Sequence, residues 1–302
     1  MKNKTEGGSL NDKIENNVET TFSTIPTITG ENIETKQLNL DLGIGANIAE
    51  QVKNFISENL SKIKGVRKIA LPGQAHASGA FLALGEMLWG LPKNALLVIP
   101  GSEPIEIDLS EWRHEVARNS RDKRIEGEKS GKIFILQGGH PIDPGQYDAI
   151  AKSMNVSADK IVAVPFGDNK ISKEEIEGDG KNKVITALMD ATNRAGITVG
   201  DWESGNIIYA PAGLGALATL HTTAIYGVSG QWPNMVRLAL NSETKKFEYA
   251  ETINLQSLRQ EGKNIEVSNI VSIEKNKIKK LLDLTRAEFG DTPEFKEIES
   301  KI

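Results

Sequence analysis

The chain contains no cysteine, and that absence removes disulfides, thiolate nucleophiles, zinc knuckles and iron–sulfur clusters together. Whatever chemistry it performs uses oxygen and nitrogen. Positive charge is also short: 36 Lys and Arg face 41 Asp and Glu, a formal net charge of -5. Duplex nucleic acid is normally met by a clustered basic surface, so it is not an expected partner. A small nucleotide in a focused pocket is compatible with this charge. No apolar run approaches the roughly 20 residues that cross a bilayer, and the opening MKNKTEGGSLNDKIENN has no apolar signal core. A cytoplasmic protein with no membrane partner is expected. The four histidines, His76, His114, His140 and His221, show none of the spacings of metal ligands, so no metal and no cofactor is expected.

What is present is an ordinary globular composition: 302 residues with 38% apolar content, enough for a sizeable core and for two domains. Residues 1–18 are polar and are expected to form a disordered tail. After them strand-like and helix-like segments alternate, the pattern of an α/β fold. VETTFSTI, QLNLDLGI, RKIALPG and NALLVIPG read as strands, with IAEQVKNFISENLSKI and AFLALGEMLWG as helices. The charged stretch around 121–130 reads as a linker. Beyond it KIFILQ, DKIVAVPFG and GNIIYAPAG are strands, the helices are PIDPGQYDAIAKSM, KVITALMDATNRAG and LGALATLHTTAIYG, and MVRLALN closes the sheet-forming run.

An internal repeat organises these segments. KIALPGQAHASGAFLALGEMLWGLPKNALLVI lines up with NIIYAPAGLGALATLHTTAIYGVSGQWPNMVRLAL, and IDLSEWR at 107–113 lines up with INLQSLR at 253–259. The expected organisation is a tandem duplication: a shortened first domain at 19–120, a second at 131–265, and a helical extension at 266–302 marked by Ile278, Leu281, Leu282 and Leu284. Packing and oligomer contacts are both open roles for that extension.

Several familiar motifs fail on inspection. The loop GQAHASGA at 73–80 enters a helix from a strand, a way of offering unpaired N–H groups to an anion, though its small residues also suit close packing of a helix on a sheet. It lacks the Lys-Ser/Thr of a Walker loop. LGIGANIAE at 42–50 has Gly-x-Gly but no convincing acidic ribose partner, so a helix-entry turn is the better reading. Ser78 has no nucleophile elbow around it, and Glu103 and Glu106 look like a solvated edge. His114 and His221 lie inside helices and read as solvated or structural. His76 and His140 each sit in a loop just after a strand, where α/β folds place ligands.

The second copy, residues 131–260, resembles a small family of CRISPR-associated proteins from type III systems, Rossmann-like proteins related to CARF sensor domains and discussed as ring nucleases or cyclic-oligoadenylate binders. IFILQGGHPIDPGQYDAI, APAGLGALATLHTTAIYGVSGQWPNMVRLAL and FEYAETINLQSLR carry the likeness, and the repeat extends it in weaker form to residues 19–125. The resemblance implies two tandem Rossmann-like, CARF-like domains plus a C-terminal helix. It implies binding of cyclic tetra-adenylate, the second messenger of type III antiviral signalling, across a two-fold axis made by a homo-oligomer or by an intrachain pseudo-dimer. In such proteins the loops after the first and fourth strands contact the ring. Here those are Gly138, Gly139, His140 and Pro141, with Pro211, Ala212, Gly213 and Leu214. Pro72, Gly73, Gln74, Ala75, His76 and Ser78 take the latter place in the first copy. Gln74 and Asn169 are amides able to read adenine.

Ring cleavage without metal would use the ribose 2′-OH as nucleophile, with His76 or His140 as general acid or base. The loops carry no adjacent Lys or Arg to stabilise developing charge, so sequestration is the favoured expectation. A ring nuclease with turnover, an enzyme acting on another nucleotide and a non-catalytic interaction scaffold stand as alternatives.

Overall fold

The computed structural model describes residues 19–22, 36–64, 69–71, 74–97, 105–139, 141–166, 180–211 and 215–289. KIFILQ forms β6 (Ile133–Gln137), which is buried along its whole length, as a continuous apolar run in a central parallel strand should be. Around it stand β7 (Ile161–Pro165), β8 (Ile207–Ala210), β9 (Asn234–Leu240) and β10 (Phe247–Asn254). The order across this five-stranded sheet is β7-β6-β8-β9-β10. All neighbours are parallel except β9 and β10, which are antiparallel. MVRLALN therefore does not close the sheet, contrary to the sequence expectation. FEYAETIN adds an edge strand whose glutamates Glu248 and Glu251 mask its periodicity.

The period-2 alternation of side chains divides the sheet into faces. Ile133, Ile135, Ile208 and Val236 meet Ile150 of α4 (Pro144–Ser153) on one face. Phe134, Leu136, Tyr209 and Met235 belong to the cluster holding Leu188 of α5 (Gly180–Arg194) and Leu220 of α7 (Gly215–Ser229). The short α6 (Val199–Glu203) precedes β8. Since the chain leaves β6 toward β7 and returns across it to β8, the sheet has a topological switch point between β6 and β8.

In the first half β1 (Glu19–Phe22) pairs with β2 (Lys36–Asn39), and α1 (Ile48–Lys64) leads to β3 (Ile69–Ala70). Then come α2 (Ala75–Trp89), β4 (Ala95–Leu97), β5 (Ile105–Ile107) and α3 (Leu109–Ser120). β3 and β4 are parallel while β4 and β5 are antiparallel, the same order and sense as β8, β9 and β10. The helix that follows β10 is α8 (Leu255–Phe289), unbroken through residue 266, where the sequence suggested a boundary.

The halves are interlocked. α2 lies against α7, α3 packs on α7, and α8 packs on α2, so the helix after each antiparallel strand crosses to the other half. One contiguous core runs from Leu40 through Phe81, Trp112, Leu136 and Leu220 to Leu258, where the length of the chain had suggested two domains. The stretch 121–130, read as a linker, is laced to α6: Gly200 N–H donates to Gly127 O at 3.0 Å, and Asp201 accepts from the Ser130 N–H and hydroxyl, both at 2.8 Å. Burial alone would raise the Asp201 carboxyl, but these bonds and those from Thr198 hold it below its ordinary range.

At the crossings there is no room for side chains. A Cβ on Gly227 of α7 would lie 2.8 Å from the Arg113 carbonyl of α3, and one on Gly262 of α8 would lie 2.3 Å from the Leu84 carbonyl of α2. A backbone oxygen cannot rotate away. Gly262→Ala is therefore expected to destabilise by about 1–3 kcal/mol, read as a lower denaturant midpoint; an unchanged midpoint would mean that α2 and α8 do not approach this closely.

Between the crossings Glu86 of α2 collects partners from both halves. Its Oε1 accepts from the Tyr226 hydroxyl at 2.6 Å, and its Oε2 accepts from Trp232 Nε1 at 2.6 Å and Arg259 Nε at 2.8 Å. Arg113 stands 3.7 Å from Oε1 and donates to the Tyr226 hydroxyl at 2.8 Å. Arg113 and Arg259 are the closing arginines of IDLSEWR and INLQSLR, so equivalent residues of the repeat converge on one carboxylate.

Candidate functional site at the carboxyl ends of the strands

Of the residues singled out from sequence, Pro72, Gly73, His140, Asn169, Ala212, Gly213 and Leu214 lie outside the described residues. Gln74, Ala75, His76, Ser78, Gly138, Gly139, Pro141 and Pro211 are described, and they fall into two groups.

The first group starts α2. Gln74 caps the helix, its Oε1 accepting from Ala77 N–H at 2.7 Å, which fixes its amide nitrogen as the group 2.7 Å from His76 Nδ1. His76 Nδ1 is then an acceptor, so the ring hydrogen is on Nε2 and is donated to the Val236 carbonyl of β9 at 2.9 Å. Burial lowers the His76 pKa to about 4, against the Val236 bond, which raises it, and with the help of nearby Arg237. At neutral pH the ring is neutral with both nitrogens engaged. The acid–base role expected of His76 has no free nitrogen in this geometry; the residue is a brace between the α2 loop and the other half. Ala75 and Ser78 are buried in the helix. Gln74 is only half-buried and keeps a second amide hydrogen.

The second group borders the switch point. Gly138 N–H donates to the Ala210 carbonyl at 2.9 Å, so its amide belongs to the sheet and is not offered to an anion. Its own side is closed as well: a Cβ there would lie 2.8 Å from the Tyr209 ring and 2.9 Å from His221 Nδ1. Tyr209 and His221 are hydrogen-bonded at 2.9 Å, and Phe166 packs against the imidazole at a tilt of 48° with centroids 4.7 Å apart. Burial takes the His221 pKa to about 3. Gly139 and Pro211 are half-buried and Pro141 is exposed, so these three form the described rim. They follow the first and third strands of the sheet, not the first and fourth.

Sequence reasoning missed the floor beneath that rim. Gln137 at the end of β6 is 5% exposed and donates to the Tyr147 hydroxyl of α4 at 2.5 Å. Burial raises the Tyr147 phenol, with the Gln137 bond opposing. The signal was a polar residue ending an otherwise apolar strand immediately before Gly-Gly. His221 is structural, as expected, and His114 is exposed on α3.

The Gly-x-Gly turn at 42–46 is also explained. Arg237 of β9, 2% exposed, donates to the carbonyls of Leu42, Gly43 and Ala46 at 3.1, 3.1 and 2.7 Å and to Glu251 at 2.8 Å. A loop whose acceptors surround a buried guanidinium is built to anchor a helix entry, and its inward carbonyls would repel a pyrophosphate.

Among the described residues no group of three or more His, Asp or Glu side chains could hold a metal ion, and no helix is long and apolar enough to cross a membrane. Comparison with protein-family models, with curated proteins and with solved structures returns no match. What remains is an edge rimmed by Gly139, Pro141 and Pro211 at the carboxyl ends of β6 and β8, next to helix starts from both halves and without a described acid or base free for catalysis.

Proposed function

We propose that the chain is a tandem pair of CARF-like, Rossmann-like units that binds cyclic tetra-adenylate and dampens type III CRISPR signalling by holding the ring. The sequence resemblance supplies the ligand class. The observation that carries the preference for holding over cutting is the engagement of His76: the histidine best placed after a first-half strand is buried, neutral and bonded through both nitrogens.

A cyclic tetranucleotide has repeated anions and a two-fold axis. Two helices that follow strands in equivalent places, α2 and α7, lie against each other, and a helix N-terminus is a favourable place for a phosphate. Gln74 has an amide hydrogen left to meet an adenine edge. One chain thereby supplies the pseudo-dimer that such a ligand fits.

Incubation of the purified chain with labelled ring in metal-free buffer tests the reading, following both retention and product length. Stoichiometric retention, with intact ring recovered after denaturation, is expected. Multiple turnovers to linear product would overturn sequestration, and absence of retention would overturn the ligand.

A further inference from the structure

From residue 266 onward α8 presents a row of exposed apolar side chains, while Ser268 still borders a groove with Ser57 and Leu60 of α1. Val267, Ile270, Ile273, Ile278, Leu281 and Leu284 are between 41% and 62% exposed, far more than isolated surface apolar residues require. Their order is not random. Val267, Ile270, Glu274, Lys277, Leu281 and Leu284 step alternately by three and four residues, the seam spacing of a coiled coil. The two polar members sit at its centre.

We infer that this seam is an antiparallel self-association surface, and that its occupant is the same segment of a second copy of the chain. The pattern reads the same from both ends. With a two-fold axis between Lys275 and Asn276, Val267 falls opposite Leu284, Ile270 opposite Leu281, and Glu274 opposite Lys277 of the other copy. Every apolar layer meets an apolar layer, and the one polar layer joins opposite charges. A closed two-fold interface requires this self-complementarity.

Charge decides the direction. A parallel pair in register would place Glu274 against Glu274 and Lys277 against Lys277, two like-charge layers in the seam. The antiparallel pair has none. Polar residues at seam positions are the usual device for fixing orientation and register in coiled coils. Within one chain Glu274 and Lys277 already pair at 2.8 Å while 56% and 64% exposed, so the dimer exchanges partners without burying an unpaired charge. Ile273 and Ile278 flank that layer and shield it.

The body leaves space for the second helix. Toward the core the seam line continues through Gln260 and Lys263, both exposed. α2 is met on another side of α8, through Leu255, Leu258 and Gly262. The seam spans about 27 Å at 1.5 Å per residue. This association involves no residue of the proposed ring site, so it stands or falls independently of that ligand.

The chain has no cysteine, which makes engineered cross-linking unambiguous. On the full-length chain without ligand, light scattering across a concentration series is expected to show dimer. Ile270→Cys and Leu281→Cys should cross-link to each other on mixing under oxidation, while neither should cross-link to itself. In the antiparallel register a position and its own copy are about 16 Å apart along the axis, beyond disulfide reach. Glu274→Lys and Lys277→Glu should each raise the concentration for half-dimerisation by about tenfold or more, and the double exchange should restore it. A monomer at every concentration overturns the inference, including one that instead binds anionic vesicles through this helix. Efficient self-cross-linking of Ile270→Cys also overturns it, as does failure of the double exchange to rescue.

Discussion

Glu86→Ala is expected to lower the unfolding free energy by about 2–4 kcal/mol, the range for removing one partner from a largely buried ionic cluster. The carboxylate is 12% exposed, and Arg113 and Arg259 are 29% and 28% exposed. Partial hydration of the guanidinium groups keeps the expectation below the cost of a fully buried pair. Alanine leaves both arginines without their shared counter-charge. It also orphans Trp232 Nε1 and the Tyr226 hydroxyl, which now donate to the carboxylate at 2.6 Å each.

Glu86→Gln separates charge from shape. The amide keeps one acceptor oxygen for Tyr226 or Trp232 but no longer balances the arginines, so about half the alanine effect is expected. Combining Glu86→Ala with Arg259→Met should cost less than the sum of the single changes, because the second removes a charge that the first left unpaired. Denaturant unfolding of the full chain measures all of these. Additivity within about 0.5 kcal/mol would show the residues to be independent and the hub to have no coupling role. The cluster draws on α2, α3, α7 and α8, so its loss is expected to loosen the crossing of the halves.

The centre of that hub is not readable from sequence. Glu86 lies in GEMLWG, which reads as a packing helix, and its partners are far along the chain at Tyr226, Trp232 and Arg259. The repeat did point to the arginines, since they close matched heptapeptides, but not to their convergence on one side chain. His76 shows the same limit from another direction. Its position after a strand was legible; its partner is a backbone carbonyl at Val236, which no side-chain pattern encodes. Strands with long apolar runs, such as KIFILQ and NIIYA, were plain. β5 has three residues, and the edge strand β10 carries Glu248 and Glu251 three apart in a run that is half-buried throughout its middle, so neither gives a strong period. The charged stretch 121–130 misled because its side chains face solvent while its backbone polar groups bond α6.

Acid is expected to unfold the chain unusually early, with stability falling from pH 6.5 downward. His76 and His221 are neutral in the fold, with pKa values near 4 and 3 because burial penalises their charged forms; in the unfolded chain both return to about 6.5. The unfolded state therefore binds more protons through that window, and stability must rise with pH there. The contribution is fully present above pH 6.5 and is lost as pH falls toward the folded values. With both rings engaged the slope approaches about 2.7 kcal/mol per pH unit, so by pH 4 the loss is about 6 kcal/mol, comparable to the whole stability of an ordinary domain. Asp201 adds its own loss only at lower pH, because its folded value is depressed. Denaturant midpoints between pH 7 and 4.5 measure the slope, and His76→Gln or His221→Gln should each remove about half of it whatever they do to stability at pH 7. A profile flat from pH 6.5 to 5 would refute the buried neutral rings. Because protonated His76 could no longer accept from Gln74, the same acid step releases the brace that holds the start of α2 against β9.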